Sequence, residues 1–177
     1  MAGGFFMSGT ITRRIDDLGR IVIPKELRKT MRLREGDEIE ITANGDSLVL
    51  KKFSPLLDVK VQANEVSKMI ATFTSSKDVF VLSGDRVIAC LKGQKTSLTP
   101  TENLVKLCSS RSAVVLDGCE IKLFHERDNH GFVVVEPVLC NGDLFGSIVA
   151  IFSTKPNENE LGYIRFASAV LGAVVSI

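Results

Sequence analysis

Two tight-turn signals and one proline cut the first fifty residues into pieces too short to fold alone. Asp16-Asp17-Leu18-Gly19 reads as a turn, with Gly19 free to take a positive φ. Asn44-Gly45 is the strongest short hairpin signal a sequence offers. Between them, Pro24 stops a strand and suits the first turn of a helix. Gly9–Ile15 and Arg20–Ile23 are therefore short strand candidates and Pro24–Leu33 a helix. Glu38–Thr42 and Ser47–Lys52 form a hairpin with Ile39, Ile41, Leu48 and Leu50 on one face. This ββαββ block, residues 8–53, buries too little apolar surface to be stable by itself. It has no cysteine for a disulfide and no histidine for a metal. The expected solution is an obligate, intertwined homodimer in which two copies share one core.

Charge is concentrated in the same block. The whole chain carries only +1. Residues 11–34, however, hold eight Lys/Arg against three Asp/Glu, a local +5, while residues 35–54 carry −3 and residues 55–177 carry −1. Arg13 and Arg14 end the first strand candidate and Arg20 follows the turn. Lys25, Arg28, Lys29 and Arg32 recur at helical spacing. A charged helix face is ordinarily just solvated. Here the excess is local, and a twofold axis doubles it, which suits a polyanion. Neutralising several phosphates releases counterions, and Arg reads guanine edges in the major groove. No aromatic residue stands between Ser8 and Lys52. Base stacking is therefore missing, and the expected partner is double-stranded DNA, not single strands or RNA.

Ser54-Pro55 marks a boundary, with residues 54–58 expected as a linker and a second domain over 59–177. Leu56, Val59, Ala63, Val66, Ile70 and Phe73 follow a 3-4-3-4-3 spacing. That is the seam of a coiled coil or bundle, and so a candidate oligomer contact, or equally an amphipathic helix lying on a sheet. Strand candidates follow at Val79–Leu82, Val87–Leu91, Ala113–Leu116, Glu120–Phe124, Phe132–Cys140 and Phe145–Phe152. Leu98–Cys108 reads helical, and Asn157 with Glu160 forms a capping box before a last helix. Pro137 implies an edge or bulge. The expected class is α+β, with an antiparallel sheet of about six strands flanked by helices.

Catalytic signatures are lacking. The chain has no phosphate-loop, dinucleotide, nucleophile-elbow or zinc-helix motif, so no enzyme activity and no cofactor are expected. Gly93-Gln94-Lys95-Thr96 lacks the first glycine of a phosphate loop. Cys90, Cys108, Cys119 and Cys140 are spaced 18, 11 and 21 apart, too widely for a zinc site. They read as reduced core thiols of a cytoplasmic protein. The run from His125 to His130 reads as a solvated loop. Gly146–Phe152 and Phe166–Ile177 are too short to span a bilayer, and Met1–Phe6 lacks the basic start of a secretory signal. Met7 is an alternative start, with the preceding residues an extension.

The run from Ile11 to Arg28, ITRRIDDLGRIVIPKELR, closely resembles the AbrB-type swapped-hairpin DNA-binding domain, and Leu48–Pro55 resembles the end of the same domain. By element order, and by Pro137, Asn141-Gly142 and Gly146, the second block is similar to a GAF domain. The resemblance implies a β-barrel-like intertwined dimer that presents loops and helix ends to duplex DNA. Its DNA-contacting positions fall on Arg13, Arg20, Arg28 and Lys29, with Arg14 beside them. Lys29 stands where Arg is common in the family, which removes the bidentate fork there. The resemblance further implies activation and repression of sporulation genes in the forespore. It also implies a homotetramer paired through the GAF-like blocks, with the Leu56–Phe73 seam as the candidate contact. GAF domains often hold a small-molecule effector. Val81, Cys90, Phe124, Val134 and Ile148 are the candidate walls, and the same positions read as plain core. Residues 92–101 would cover a pocket or simply connect. Antitoxins of the MazE type share the swapped hairpin and give the alternative of a protein-interaction module, although they end in an acidic tail where this chain continues into a second domain.

Overall fold

The computed structural model describes residues 11–31, 33, 35–91, 98–117 and 121–175. The chain divides into two compact units, Met1–Phe53 and Ser54–Ile177.

In the first unit, Pro24 leads into helix α1 (Lys25–Thr30). Strands β1 (Ile39–Asn44) and β2 (Ser47–Lys52) pair antiparallel from Ile39–Lys52 to Asn44–Ser47. Gly45 closes the hairpin at φ +57°, as its Asn-Gly signal predicts. Two expectations fail here. No strand forms over residues 11–15 or 20–23. A strand exists only as a pairing, and β1 and β2 pair with each other. Helix α1 also stops three residues before the expected Leu33. Gly9 and Arg32 lie outside the described residues. Among the described residues of this unit only Pro24 is buried. Ile15, Leu18, Val22, Ile41 and Leu48 are each more than half exposed. Among its described residues the unit has apolar side chains but no buried cluster of them.

The second unit is three layers deep. Helices α2 (Pro55–Asp58) and α3 (Lys60–Phe73) precede β3 (Ser76–Ser83) and β4 (Arg86–Cys90). Helix α4 (Glu102–Cys108) follows, then β5 (Val114–Asp117), β6 (Phe132–Cys140), β7 (Asp143–Phe152) and α5 (Glu158–Val175). The antiparallel sheet has the order β4-β3-β7-β6-β5. Its strands are apolar on both faces, and the two-residue period sorts them cleanly. Val79, Val81, Val134, Val138, Ile148, Ala150 and Phe152 face α3 and α5. Phe80, Leu82, Val133, Val135, Val149 and Ile151 face α4 and the loops beside it. Pro137 sits on β6 beyond Val135, where the ladder to β5 has ended, so its missing N–H breaks no pairing with β5.

Three expectations are corrected in this unit. Residues 54–58 are not a linker. Leu56 is fully buried in the core, and the Ser54 hydroxyl donates to Ser83 Oγ at 2.8 Å. The 3-4 seam is the amphipathic helix, not an exposed contact: Leu56, Ala63, Val66 and Ile70 are core residues and Val59 packs against them. Of the seam only Phe73 is well exposed, at 59%. The strand expected at Glu120–Phe124 does not form either. Described from Ile121, this segment crosses the sheet face with Leu123 and Phe124 buried, and its backbone bonds elsewhere. The Leu123 carbonyl accepts from Thr101 N–H, and the Lys122 carbonyl from Thr101 Oγ1 at 2.7 Å. Leu123 N–H donates to Asn129 Oδ1 at 3.0 Å. Asn141 and Gly142 turn β6 into β7 at positive φ. Asn157 and Glu160 cap the start of α5 reciprocally, each accepting the other's backbone N–H at 3.0 Å.

Candidate nucleic-acid interface

The basic residues of the first unit gather on a turn and a helix, and one carboxylate organises the turn. Asp16 Oδ1 accepts the backbone N–H of Leu18 at 3.1 Å and of Arg20 at 2.7 Å. Asp16 Oδ2 accepts from Arg20 Nε at 2.7 Å. Gly19 N–H donates to the Asp16 carbonyl and Asp16 N–H to the Arg20 carbonyl. Gly19 holds φ +77°, a left-handed conformation that a side chain would oppose. The Arg20 N–H and guanidinium hold the Asp16 carboxyl below the usual carboxylate range. Sequence reasoning placed the turn but missed this role of Asp16. The available signal was the four-residue spacing to Arg20 across a glycine.

Each candidate DNA-binding cation, Arg13, Arg14, Arg20, Arg28 and Lys29, is exposed. Arg13 and Arg14 precede the turn, and Arg28 and Lys29 lie in the last turn of α1, where the helix dipole favours cations. Helix α1 has no fully buried residue, and Lys25, Arg28 and Lys29 are exposed along it. Lys52 and Asp37 form an ion pair at 2.8 Å that ties the segment before β1 to the end of β2. What the arrangement can do chemically is bind phosphate and base edges.

The five positions proposed as a ligand wall do not converge. Val81, Val134 and Ile148 point to the α3/α5 face, whereas Cys90 and Phe124 belong to the opposite cluster. Alternation along a strand forces this split. On the Phe124 side the Phe80 and Phe124 rings lie 4.9 Å apart, in a buried cluster with Leu98 and Leu104. The His125–His130 run is also more than a solvated loop. Arg127 pairs with Asp78 at 2.7 Å and lies 5.6 Å over the Phe80 ring, and Asn129 is buried. Burial pushes the Cys108 thiol up to about 11, far from a reactive thiolate. Cys119 and residues 92–97 lie outside the described residues.

A second surface went unnoticed in the sequence. On α5, Ile164, Ala167, Ser168 and Leu171 face the sheet, yet Tyr163, Phe166 and Val170 form another apolar stripe that is exposed. Phe73 of α3 stacks on Tyr163 with ring centroids 5.8 Å apart. The 3-4 spacing of 163, 166 and 170 was the available signal. No described helix is long and apolar enough to cross a membrane.

Comparison with known proteins agrees with this geometry. Residues 12–55 match the family described as antidote-toxin recognition MazE, bacterial antitoxin. Stage V sporulation protein T of Bacillus subtilis (strain 168) is 34% identical over 161 residues, 85% of this chain and 87% of that protein. The transition state regulatory protein AbrB of the same organism is 31% identical over 99 residues, 56% of this chain and 93% of AbrB. Among solved structures, the second GAF domain of DevS from Mycobacterium smegmatis superposes with a TM-score of 0.52 at 14% identity. That match covers 70% of this chain and 94% of the DevS domain, and it shows a shared fold.

Proposed function

The chain belongs to the AbrB family of transcriptional regulators, together with stage V sporulation protein T, and on that footing we propose that it binds duplex DNA sequence-specifically and regulates sporulation genes in the forespore cytoplasm. It acts there as activator or repressor according to the promoter. The observation that carries the reading is a unit that shows, among the described residues, six exposed cations around one turn and one helix (Lys25 beside the five candidates) and a single buried residue. Such a unit needs a second copy to acquire a core, and the second copy doubles the cations. Arg13, Arg20 and Arg28 make phosphate and base contacts, while Arg14 and Lys29 add field. DNA shape and flexibility contribute part of the specificity.

The GAF-like unit sets the higher assembly. The exposed stripe of Phe73, Tyr163, Phe166 and Val170 pairs two dimers into a tetramer, in place of the buried seam residues. The antitoxin alternative is favoured by the family match over residues 12–55. Against it stands the continuation of this chain into a folded unit where such antitoxins carry an acidic tail.

Gel-shift titration of the full chain on duplexes enriched from a random pool tests the reading. Arg20→Ala is expected to weaken binding by roughly 10-fold or more while circular dichroism and the thermal midpoint stay put. Unchanged affinity in a folded Arg20→Ala protein refutes it.

A further inference from the structure

Within a region of net charge +5, Asp16 is out of place on electrostatic grounds alone. A carboxylate beside a phosphate-binding surface repels the ligand. Its geometry supplies a reason for its presence. One oxygen, Oδ1, fixes the turn through two backbone N–H groups, and the other, Oδ2, takes the Nε–H of Arg20 at 2.7 Å. A guanidinium has five N–H donors in a rigid plane. Spending Nε on Asp16 leaves the Nη pair at the far edge, on a side chain that remains 71% exposed. That edge is the one that grips guanine O6 and N7, or two phosphate oxygens. Among the described residues, none of Arg13, Arg14, Arg28 and Lys29 has a carboxylate within ion-pair distance. Arg13 reaches only its neighbour's carbonyl, Thr12 O, at 3.2 Å.

We propose that Asp16 is a positioning residue for sequence recognition: by holding the Nε edge of Arg20 it aims the Nη fork at the bases before the duplex arrives. This rests on the duplex-binding reading above and assigns to Arg20 the base-reading share of it. An arginine held in this way has already given up the rotamer freedom that binding would otherwise remove. Specific contacts therefore gain, while bulk attraction to phosphate loses slightly from the added negative charge.

The two contributions have opposite signs, which makes the idea testable. Asp16→Asn keeps an oxygen for the Leu18 and Arg20 backbone N–H groups, suits the same turn, and cannot accept from Nε with its amide nitrogen. It also makes the surface more positive. If Asp16 acts only as a charge, Asp16→Asn binds every duplex more tightly. The positioning role predicts the reverse on cognate DNA. The measurement uses a duplex enriched by the wild-type chain and a random-sequence duplex at matched salt. Asp16→Asn is expected to lose roughly 10-fold on the enriched duplex, with random-duplex affinity unchanged or raised. In an Arg20→Ala background the same substitution should leave the specificity ratio where Arg20→Ala put it. Arg20→Lys keeps the charge without the fork and should lose the ratio to a similar extent. A wild-type ratio in a folded Asp16→Asn or Arg20→Lys protein overturns the inference and leaves duplex binding standing. An additional loss in the Arg20→Ala background overturns it too, because Asp16 would then act other than through Arg20. A wild-type chain that enriches no duplex removes the functional reading and this inference together.

Discussion

Gly146 shows how much can rest on a missing methyl group. A Cβ built there would meet the Leu82 carbonyl oxygen at 2.1 Å and Leu56 Cδ1 at 2.4 Å. The leucine tip can rotate away, but the carbonyl is fixed in the β3 ladder. Gly146→Ala should therefore destabilise the second unit by about 1–3 kcal/mol, toward the upper end, read as a lower urea midpoint at unchanged slope. Gly146 was one of the sequence positions that suggested a GAF-like unit, yet nothing in the sequence says that Leu56 and Leu82 are what it must clear. Glu160 makes the complementary case for charge. Its carboxylate accepts Asn157 N–H and, across the fold, the Ser75 N–H and hydroxyl at 2.8 and 2.7 Å. These bonds, the Asn157 N–H first, hold its carboxyl below the ordinary value of 4.5. A depressed folded-state value stabilises above the unfolded value and is lost as pH falls through the folded one. The stability gap between wild type and Glu160→Gln should accordingly be full at pH 6 and close as pH drops below about 4.5. The capping half of that network was legible from Asn157 and Glu160; Ser75 lies 85 residues away and was not.

At the scale of elements, periodicity told which residues are apolar on one side but not what lies on that side. The 3-4 spacing of Leu56 to Phe73 fits a helix on a sheet and a helix on a helix equally well. The sheet wins because Leu56, Ala63, Val66 and Ile70 all contribute to the core it shares with α5. Val66→Asp therefore tests folding, not assembly. An unpaired carboxylate beside Ile70 and Val81 should cost about 4 kcal/mol and yield an unfolded or molten second unit by near-ultraviolet dichroism, not a clean dimer. The β strands 76–83, 86–90, 114–117, 132–140 and 143–152 were legible because each is an apolar run bounded by turn residues. The segment around Leu123 and Phe124 was not. It has the composition of a strand, but Thr101 and Asn129 satisfy its backbone. The two N-terminal strand candidates failed for a third reason: a strand exists only as a pairing, and within the unit β1 and β2 pair with each other and not with either candidate.

For the whole molecule, the two units present unfinished surfaces of different kinds, and each predicts its own association. In the first, β-branched and leucine side chains are exposed over almost the full length of the unit, so association and folding should be one event. The thermal midpoint of that transition should rise with protein concentration. In the second, a buried core is already built, and the stripe of Phe73, Tyr163, Phe166 and Val170 on α3 and α5 lies outside it, so association there should be separable from folding. Phe166 is the point to probe. It is 63% exposed and lines one shallow cleft with Phe73, Tyr163, Met69 and Ile70. Phe166→Glu places a charge at the middle of the stripe, where a second copy would have to bury it unpaired. If the proposed dimer–dimer pairing uses this stripe, multi-angle light scattering should then report dimers where the wild-type chain forms the proposed tetramer, with the melting curve of the second unit unchanged. The same dimers should still shift a single operator duplex, because both recognition turns of one dimer remain, but should lose the ability to bridge two distant sites. A Phe166→Glu protein that remains tetrameric would move the dimer–dimer contact off this face, and one that falls to monomers would place the first-unit dimer itself in question.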